Sequence, residues 1–121
     1  MARILLAEDD KAMVNFLVIA LERAGHSVVS RTNGTGALDA LKDDPAFDLL
    51  LTDIVMPGID GIELAQRAES LCPDIKVMFI TGFAAMAMER HKPGDKEEPQ
   101  VLSKPFHLND LVQQVDTILA S

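Results

Sequence analysis

Asp53 is the residue of this sequence whose position most strongly indicates chemistry. It follows the apolar run Leu49-Leu50-Leu51-Thr52, and Pro57 and two glycines come shortly after it. A short leucine-rich run predicts a buried strand, and proline with glycine predicts the turn that ends it. Aspartate is rarely buried without a partner, and ligands of open α/β sheets bind just beyond the carboxyl ends of the strands. We therefore predict that Asp53 serves a functional site rather than packing.

Polar side chains also follow three other predicted strands. They are Glu8-Asp9-Asp10 after the first strand, Thr81-Gly82 after the fourth and Ser103-Lys104-Pro105 after the fifth. The carboxyl ends of parallel strands share one edge of a sheet, so Glu8 and Asp9 should converge on Asp53. Thr81 and Lys104 should lie beside them.

This set of residue types favours metal-assisted phosphoryl chemistry. Three carboxylates in one place repel each other, and a hard divalent cation would compensate them. Mg²⁺ suits such a site because it binds one or two carboxylates together with water and phosphate oxygens. Asp53 would then act as a nucleophile toward phosphorus. Lys104 and Thr81 would neutralise the oxygens of the transferred group, and Gly82 would leave room for it.

Alternating strand and helix patterns predict the elements that position these residues. Strand patterns lie at 4–7, 28–29, 49–53, 75–80 and 101–102. Helical spacing of apolar residues marks 13–24, 37–41, 64–71, 84–89 and 108–119, with Asp10 and Asp60 as caps and a polar loop at 90–99. This alternation predicts an α/β fold, a flavodoxin-like (βα)5 three-layer sandwich with a parallel five-stranded sheet of order 2-1-3-4-5. The most apolar strands, the first, third and fourth, should be central.

Length and composition limit the possible functions. The 121 residues predict a single domain, 1–121, with no attached output domain. The net charge of −8 disfavours binding to nucleic acids and to anionic membranes. A single cysteine, Cys72, excludes a disulfide framework and fits a reducing compartment. No apolar stretch approaches a membrane span and no signal peptide is evident, so we expect a cytoplasmic location.

The chain resembles the receiver domain of two-component response regulators over essentially its full length. The resemblance lies in four ordered segments, Ile4-Leu5-Leu6-Ala7-Glu8-Asp9-Asp10, Leu51-Thr52-Asp53-Ile54-Val55-Met56-Pro57 with Asp60-Gly61, Ile80-Thr81-Gly82 and Lys104-Pro105-Phe106. It implies that Asp53 accepts a phosphoryl group from a histidine kinase or histidine phosphotransfer protein. It also implies a signalling protein with slow autodephosphorylation rather than a turnover enzyme.

The same resemblance assigns roles to the other site residues. Mg²⁺ would be held by Asp53, by Asp9 directly, by Glu8 mainly through water and by the backbone carbonyl of Val55. Thr81 and Lys104 would bind the phosphoryl oxygens, and the Lys104–Pro105 peptide bond is commonly cis in such domains.

A narrower resemblance is to stand-alone receivers of alphaproteobacteria. It rests on the segments 3–10, 60–65, 76–85 and 101–108. It implies that the unphosphorylated protein helps the ClpXP protease to engage substrates and that phosphorylation switches this off. Without an output domain, the readout would be a protein partner or onward phosphotransfer, as in a phosphorelay sink or shuttle.

Two departures from the receiver pattern bear on signalling. Many receivers carry an aromatic switch residue on the fifth strand, whereas this chain has Val101 there and contains no tyrosine. The segment 86–99 lacks a long amphipathic pattern, so we expect a helix there to be short or mobile. Phe83, Met86 and Met88 are candidate partner contacts, although core packing is the favoured interpretation of each, since methionine commonly fills gaps in a core.

Two other classes of function compete with the receiver interpretation. A phosphatase or dehalogenase would also use Asp53 as nucleophile, but it generally needs a second acid two residues later, where this chain has Val55. A flavin or nucleotide binder would need a first loop that accepts phosphate. The acidic Glu8-Asp9-Asp10 segment would repel phosphate unless a metal intervened.

Overall fold

The computed structural model describes residues 2–82 and 100–120. Its elements in chain order are β1 (Arg3–Ala7), α1 (Lys11–Arg23), β2 (Ser27–Arg31), α2 (Gly34–Asp43), β3 (Leu49–Thr52), α3 (Gly61–Leu71), β4 (Lys76–Thr81), β5 (Gln100–Ser103) and α4 (Leu108–Ala120). The expected short helix at 84–89, the loop at 90–99 and the candidate contacts Phe83, Met86 and Met88 lie outside the described residues.

The five strands form one parallel sheet in the order β2-β1-β3-β4-β5. This confirms the flavodoxin-like topology and the central position of the most apolar strands. All four residues of β3 are buried, whereas β2 and β5 are exposed at both of their ends, as suits edge strands. The sheet therefore reverses its order between β1 and β3, which is where α/β sheets of this type bind ligands.

Two apolar layers cover the two faces of the sheet. Helices α2 and α3 pack on one face through Leu38, Leu41 and Leu64. Helices α1 and α4 pack on the other through Leu17, Leu21 and Val115. Because side chains alternate along a strand, β3 contributes to both layers, and its residues are therefore apolar along almost the whole strand.

The helix ends explain where the chain turns back toward the sheet. The Asp10 carboxylate accepts hydrogen bonds from the Ala12 and Met13 amides, which confirms it as the cap of α1. Helix α2 begins at Gly34, ahead of its apolar pattern, because the Asn33 side chain caps it. Asp60 caps α3 by accepting from the Glu63 amide at 2.8 Å. Each cap directly precedes its helix and so determines where that helix begins.

A left-handed residue ends α1. Gly25 has φ of 96°, and its N–H donates to the Glu22 carbonyl while the His26 N–H donates to the Leu21 carbonyl. This pair of bonds satisfies the last carbonyls of the helix, and glycine adopts the required positive φ without steric cost. The chain then enters β2 directly.

Candidate functional site

Backbone pairing brings the predicted site residues to one edge of the sheet. Ala7 pairs with Thr52 and Thr81 pairs with Ser103, so Glu8, Asp53 and Lys104 each follow a paired strand end. The pairing extends one step further, since the Asp53 N–H donates to the Ala7 carbonyl at 2.9 Å and the Lys104 N–H to the Thr81 carbonyl at 2.9 Å. The backbones at the mouth of the site are therefore held by the sheet itself.

Three carboxylates meet at this edge. Glu8, Asp9 and Asp53 each place a carboxylate oxygen within 4.8 Å of the others. Glu8 is fully buried and Asp53 is 7% exposed, whereas Asp9 faces solvent. An all-oxygen donor set of two or three carboxylates with one open side fits Mg²⁺, which keeps several water ligands. The residues present therefore fit the metal that receivers typically use.

Lys104 lies between two of these carboxylates. Its Nζ is 2.9 Å from Oδ2 of Asp53 and 3.1 and 3.2 Å from the two carboxylate oxygens of Glu8. One ammonium group thus balances two buried acids, as buried carboxylates require. The Lys104–Pro105 peptide bond is cis, as the resemblance to receiver domains implied.

Burial and charge perturb the titration of this cluster. Burial, and then the negative charge of Asp53, raises the pKa of Glu8 from its ordinary 4.5 to about 7, against the opposing hydrogen bond from Lys104. Burial alone would lower the pKa of Lys104, but its hydrogen bonds to Asp53 and Glu8 outweigh burial and raise it. Lys104 therefore stays charged, and Glu8 exchanges a proton near neutral pH.

The Asp53 carboxylate is oriented by its own backbone as well as by Lys104. Its Oδ1 accepts a hydrogen bond from the Ile54 N–H at 2.7 Å, while its Oδ2 faces Lys104. A carboxylate held at one oxygen in this way presents the other oxygen in a defined direction, which suits a nucleophile.

The remaining predicted residues lie around this centre. Thr81 is fully buried at the end of β4, the strand adjacent to β3. Val55 lies two residues after Asp53, with its side chain half exposed. Val101 is partly buried on β5 and packs against the layer formed by α2 and α3.

One polar residue of this region was missed from the sequence. Thr52 is fully buried, and its hydroxyl donates to the backbone carbonyl of Asp53 at 2.7 Å. The available signal was a hydroxyl at the last position of an otherwise all-leucine strand. A threonine there is also an ordinary strand residue, so its type alone did not reveal the contact.

Comparison with known proteins assigns the family. Residues 4–116 match the family model described as the response regulator receiver domain. A solved receiver domain of the hybrid histidine kinase CckA superposes with a TM-score of 0.81 and 30% identity, covering 97% of this chain and 98% of that one. A response regulator receiver protein from Sinorhizobium medicae WSM419 gives a TM-score of 0.87 and 29% identity, covering 99% of this chain and 95% of that one.

The chain belongs to the response regulator receiver domain family. Within that family it is similar to the response regulator receiver protein CpdR of Brucella abortus (strain 2308). The two are 56% identical over 119 residues, which are 98% of each chain. No helix among residues 2–82 and 100–120 has the length and apolar character needed to cross a bilayer.

Proposed function

We propose that this chain is a response regulator that accepts a phosphoryl group on Asp53 from a histidine kinase or histidine phosphotransfer protein. One observation carries the proposal. The Asp53 carboxylate is held at Oδ1 by the Ile54 amide and presents Oδ2 to Lys104 at a cluster of three carboxylates. This is the geometry of a positioned nucleophile beside a group that can neutralise phosphoryl oxygens.

The proposed phosphoryl transfer forms one bond to phosphorus and breaks another. An oxygen of Asp53 attacks phosphorus, and the bond between phosphorus and the donor imidazole nitrogen breaks. The electron pair of that bond returns to the imidazole, which takes up a proton. Lys104 and the Thr81 hydroxyl bind the oxygens of the transferred group. The phosphorylated side chain then carries roughly −1.5 to −2 charges, if it resembles other phosphorylated side chains, in place of the single negative charge of the carboxylate.

Glu8, Asp9, Asp53 and the backbone carbonyl of Val55 would hold Mg²⁺. When bound, the metal would offset the negative charge that develops on the phosphoryl oxygens. Asp9, which faces solvent, would ligate the metal directly, as would Asp53, and buried Glu8 would act mainly through water, as the resemblance to receiver domains implies. The raised pKa of Glu8 means that metal and proton compete at this site near neutral pH.

The absence of a general acid at position 55 supports signalling rather than turnover. Val55 occupies the place where an aspartate-dependent phosphatase carries its second acid. The phosphorylated form should therefore decay slowly and persist as a signal. An aspartate-nucleophile phosphatase remains the competing activity, and multiple turnover of a phosphomonoester would identify it.

The similarity to CpdR supports a particular readout. We infer that the unphosphorylated form assists a protease of the ClpXP type in the cytoplasm and that phosphorylation of Asp53 ends this assistance. Onward phosphotransfer, with the chain as a sink or shuttle of a phosphorelay, is the alternative readout of the same chemistry.

The phosphoacceptor assignment is tested by incubating the protein with acetyl phosphate and Mg²⁺ and measuring its intact mass. We expect the wild type to gain one phosphoryl group. Asp53→Asn should gain none, because its amide is not a nucleophile of this kind, and EDTA should prevent labelling of the wild type. An unlabelled wild type beside a labelled control receiver would refute the assignment.

The readout is tested by affinity capture from a bacterial lysate with the wild type and with Asp53→Ala as baits. We expect the protease components to bind Asp53→Ala and the unphosphorylated wild type. They should be lost when the wild type is first phosphorylated. Capture of phosphotransfer proteins without protease components would favour the phosphorelay alternative.

A further inference from the structure

Thr52 is a buried polar residue that the proposed chemistry does not use. It is the last residue of β3 and is fully buried. Alternation along the strand puts it on the same face as Leu50, under the apolar layer formed by α2 and α3. Burying a hydroxyl in apolar surroundings is unfavourable unless it is hydrogen bonded, so the partner of Thr52 matters.

That partner belongs to the phosphoacceptor residue itself. The Thr52 Oγ1 donates to the backbone carbonyl oxygen of Asp53 at 2.7 Å. The sulfur of Met56 lies 4.0 Å from the same hydroxyl. The hydroxyl thus holds the oxygen end of the peptide unit between Asp53 and Ile54.

The other end of that same peptide unit holds the Asp53 carboxylate. The Ile54 N–H donates to Asp53 Oδ1 at 2.7 Å. A peptide unit is planar and rigid, so its carbonyl oxygen and its N–H cannot turn independently. A group that fixes the oxygen therefore also fixes the direction in which the N–H points.

The start of α3 confines the same stretch of backbone from outside. The Gly61 N–H donates to the Ile54 carbonyl at 2.7 Å. A Cβ added at Gly61 would overlap with the Asp53 carbonyl oxygen, so the two backbones are in close contact there. The peptide unit after Asp53 thus lies between the buried Thr52 hydroxyl and Gly61, which leaves little space for it to rotate.

We infer that Thr52 is a positioning residue for phosphorylation, which it promotes by fixing the peptide unit that orients the Asp53 carboxylate. The chain of contacts runs from Thr52 Oγ1 to the Asp53 carbonyl, through the peptide to the Ile54 N–H, and then to Asp53 Oδ1. It leaves Oδ2 directed at Lys104, 2.9 Å away. Small losses of alignment in a reacting group lower rates disproportionately, so a hydroxyl outside the reacting set can affect the reaction.

This inference rests on the proposed role of Asp53, and the test compares Thr52→Val with Thr52→Ser. Valine keeps the branched shape and removes the hydroxyl, whereas serine keeps the hydroxyl and removes a buried methyl group. The initial rate of labelling by acetyl phosphate is measured at saturating Mg²⁺ and corrected for the folded fraction. Thermal unfolding of each variant is measured in parallel.

Labelling should separate the two variants, whereas stability should fall in both. Labelling should fall about fivefold in Thr52→Val, the change that corresponds to one neutral hydrogen bond, and should stay near wild type in Thr52→Ser. Stability should fall in Thr52→Ser because a buried methyl group is lost, and in Thr52→Val because the Asp53 carbonyl loses its donor. A purely structural role for Thr52 would instead make labelling follow stability in both variants.

Nuclear magnetic resonance gives a readout that does not depend on labelling. The Ile54 amide signal should move, and its exchange with solvent should speed up, in Thr52→Val but not in Thr52→Ser. Leu50→Val is the matched control, since it weakens the same face of β3 without touching this peptide. It should lower stability and leave both the Ile54 amide and the corrected labelling rate unchanged.

Different results would overturn the positioning role of Thr52 and the phosphoacceptor role of Asp53. If the wild type is labelled and the corrected labelling rate of Thr52→Val is within about twofold of it, the role of Thr52 is wrong while the role of Asp53 stands. The same holds if the signal and exchange rate of the Ile54 amide are unchanged in Thr52→Val. No labelling of Asp53 in the wild type would overturn the proposed function and the inference with it.

Discussion

At the scale of single residues, the site is governed by one lysine shared between two buried acids. Lys104 contacts both Glu8 and Asp53 within 3.2 Å. A buried charge without a partner is costly, and the lysine supplies the positive charge that pairs with both acids. Any cation or phosphoryl group that enters must compete for, or share, the contacts that Lys104 already makes.

The burial of Glu8 predicts a pH effect on the stability of the metal-free protein. Its pKa is about 7 in the folded chain and near 4.5 when exposed, so the folded state holds the proton more tightly. The contribution of Glu8 to stability is therefore full below pH 4.5 and is lost as pH rises through 7. Between those limits it should fall by about 3 kcal/mol at most.

The measurement is denaturant unfolding in EDTA from pH 5 to pH 8. Glu8→Gln cannot titrate at this position, so the free energy of unfolding of the wild type relative to this variant should decrease as pH rises. A difference between the two proteins that stays constant with pH would show that Glu8 does not titrate as its surroundings indicate.

At the scale of secondary structure, the residues between β1 and α1 divide their roles between the site and the helix. Asp9 and Asp10 are neighbours with different surroundings. Asp9 lies with the other carboxylates, whereas Asp10 accepts from two amides of α1. After β1, Asp9 thus contributes its carboxylate to the site and Asp10 contributes its carboxylate to the start of α1.

The cap predicts a stability change that is separate from the chemistry. Asp10→Ala should lower the free energy of unfolding by about 1 kcal/mol, because two amides at the start of α1 lose their acceptor. Asp10→Asn should recover most of this loss, since its side-chain oxygen can still accept. Denaturant unfolding in EDTA measures both changes.

Asp39→Ala supplies the matched control for lost negative charge. Asp39 is exposed in the interior of α2 and starts no helix, so its replacement by alanine should not destabilise the protein. If Asp10→Ala behaves like Asp39→Ala, the hydrogen bonds that Asp10 accepts at the start of α1 contribute nothing measurable to stability.

At the scale of the whole molecule, the sheet gathers residues that are far apart in the chain. Lys104 lies 96 positions from Glu8 and 51 from Asp53, yet it bonds to both. Strand pairing produces this convergence, because Ala7 at the end of β1 pairs with Thr52 at the end of β3, and Ser103 at the end of β5 pairs with Thr81 at the end of β4. The two apolar layers keep the sheet in place from both sides.

A second long-range contact joins the beginning of the chain to its last helix. The His26 ring accepts from the Ala2 amide at Nδ1 and lies 3.0 Å from the Asp116 carboxylate at Nε2, with its side chain 8% exposed. This nearly buried ring links the start of β1, the end of α1 and the outer part of α4. The helix that follows Lys104 is thereby tied to the strand that precedes Glu8.

Much of the architecture could be predicted because it depends on local patterns. Apolar runs marked the central strands, and polar residues after them marked the site, since parallel strands share an edge. Asp10 and Asp60 were recognisable as caps because capping depends on residue type directly before a helix. The cis bond before Pro105 followed from the family resemblance, and the bond observed there agrees.

Other features depend on distances that no local pattern contains. Lys104 was predicted as a ligand of phosphoryl oxygens, but nothing in its sequence neighbourhood showed that its ammonium also balances Glu8 and Asp53. Thr52 looked like an ordinary strand residue until its hydroxyl was seen 2.7 Å from the Asp53 carbonyl. Contacts of this kind depend on side-chain directions and burial, which are set by packing across the whole sheet.

The sequence by itself determined the class of fold, the strand order and the edge at which the acids, the hydroxyl and the lysine meet. These follow from hydrophobic periodicity and from the alternation of strand and helix patterns, both of which can be read from the sequence. Only the tertiary structure decided that Glu8 is fully buried with a pKa of about 7 and that one lysine is shared between two acids. It also decided that the Thr52 hydroxyl donates to the backbone carbonyl of Asp53. Desolvation and hydrogen-bond geometry depend on every neighbour in three dimensions, so they exist only once the chain has folded.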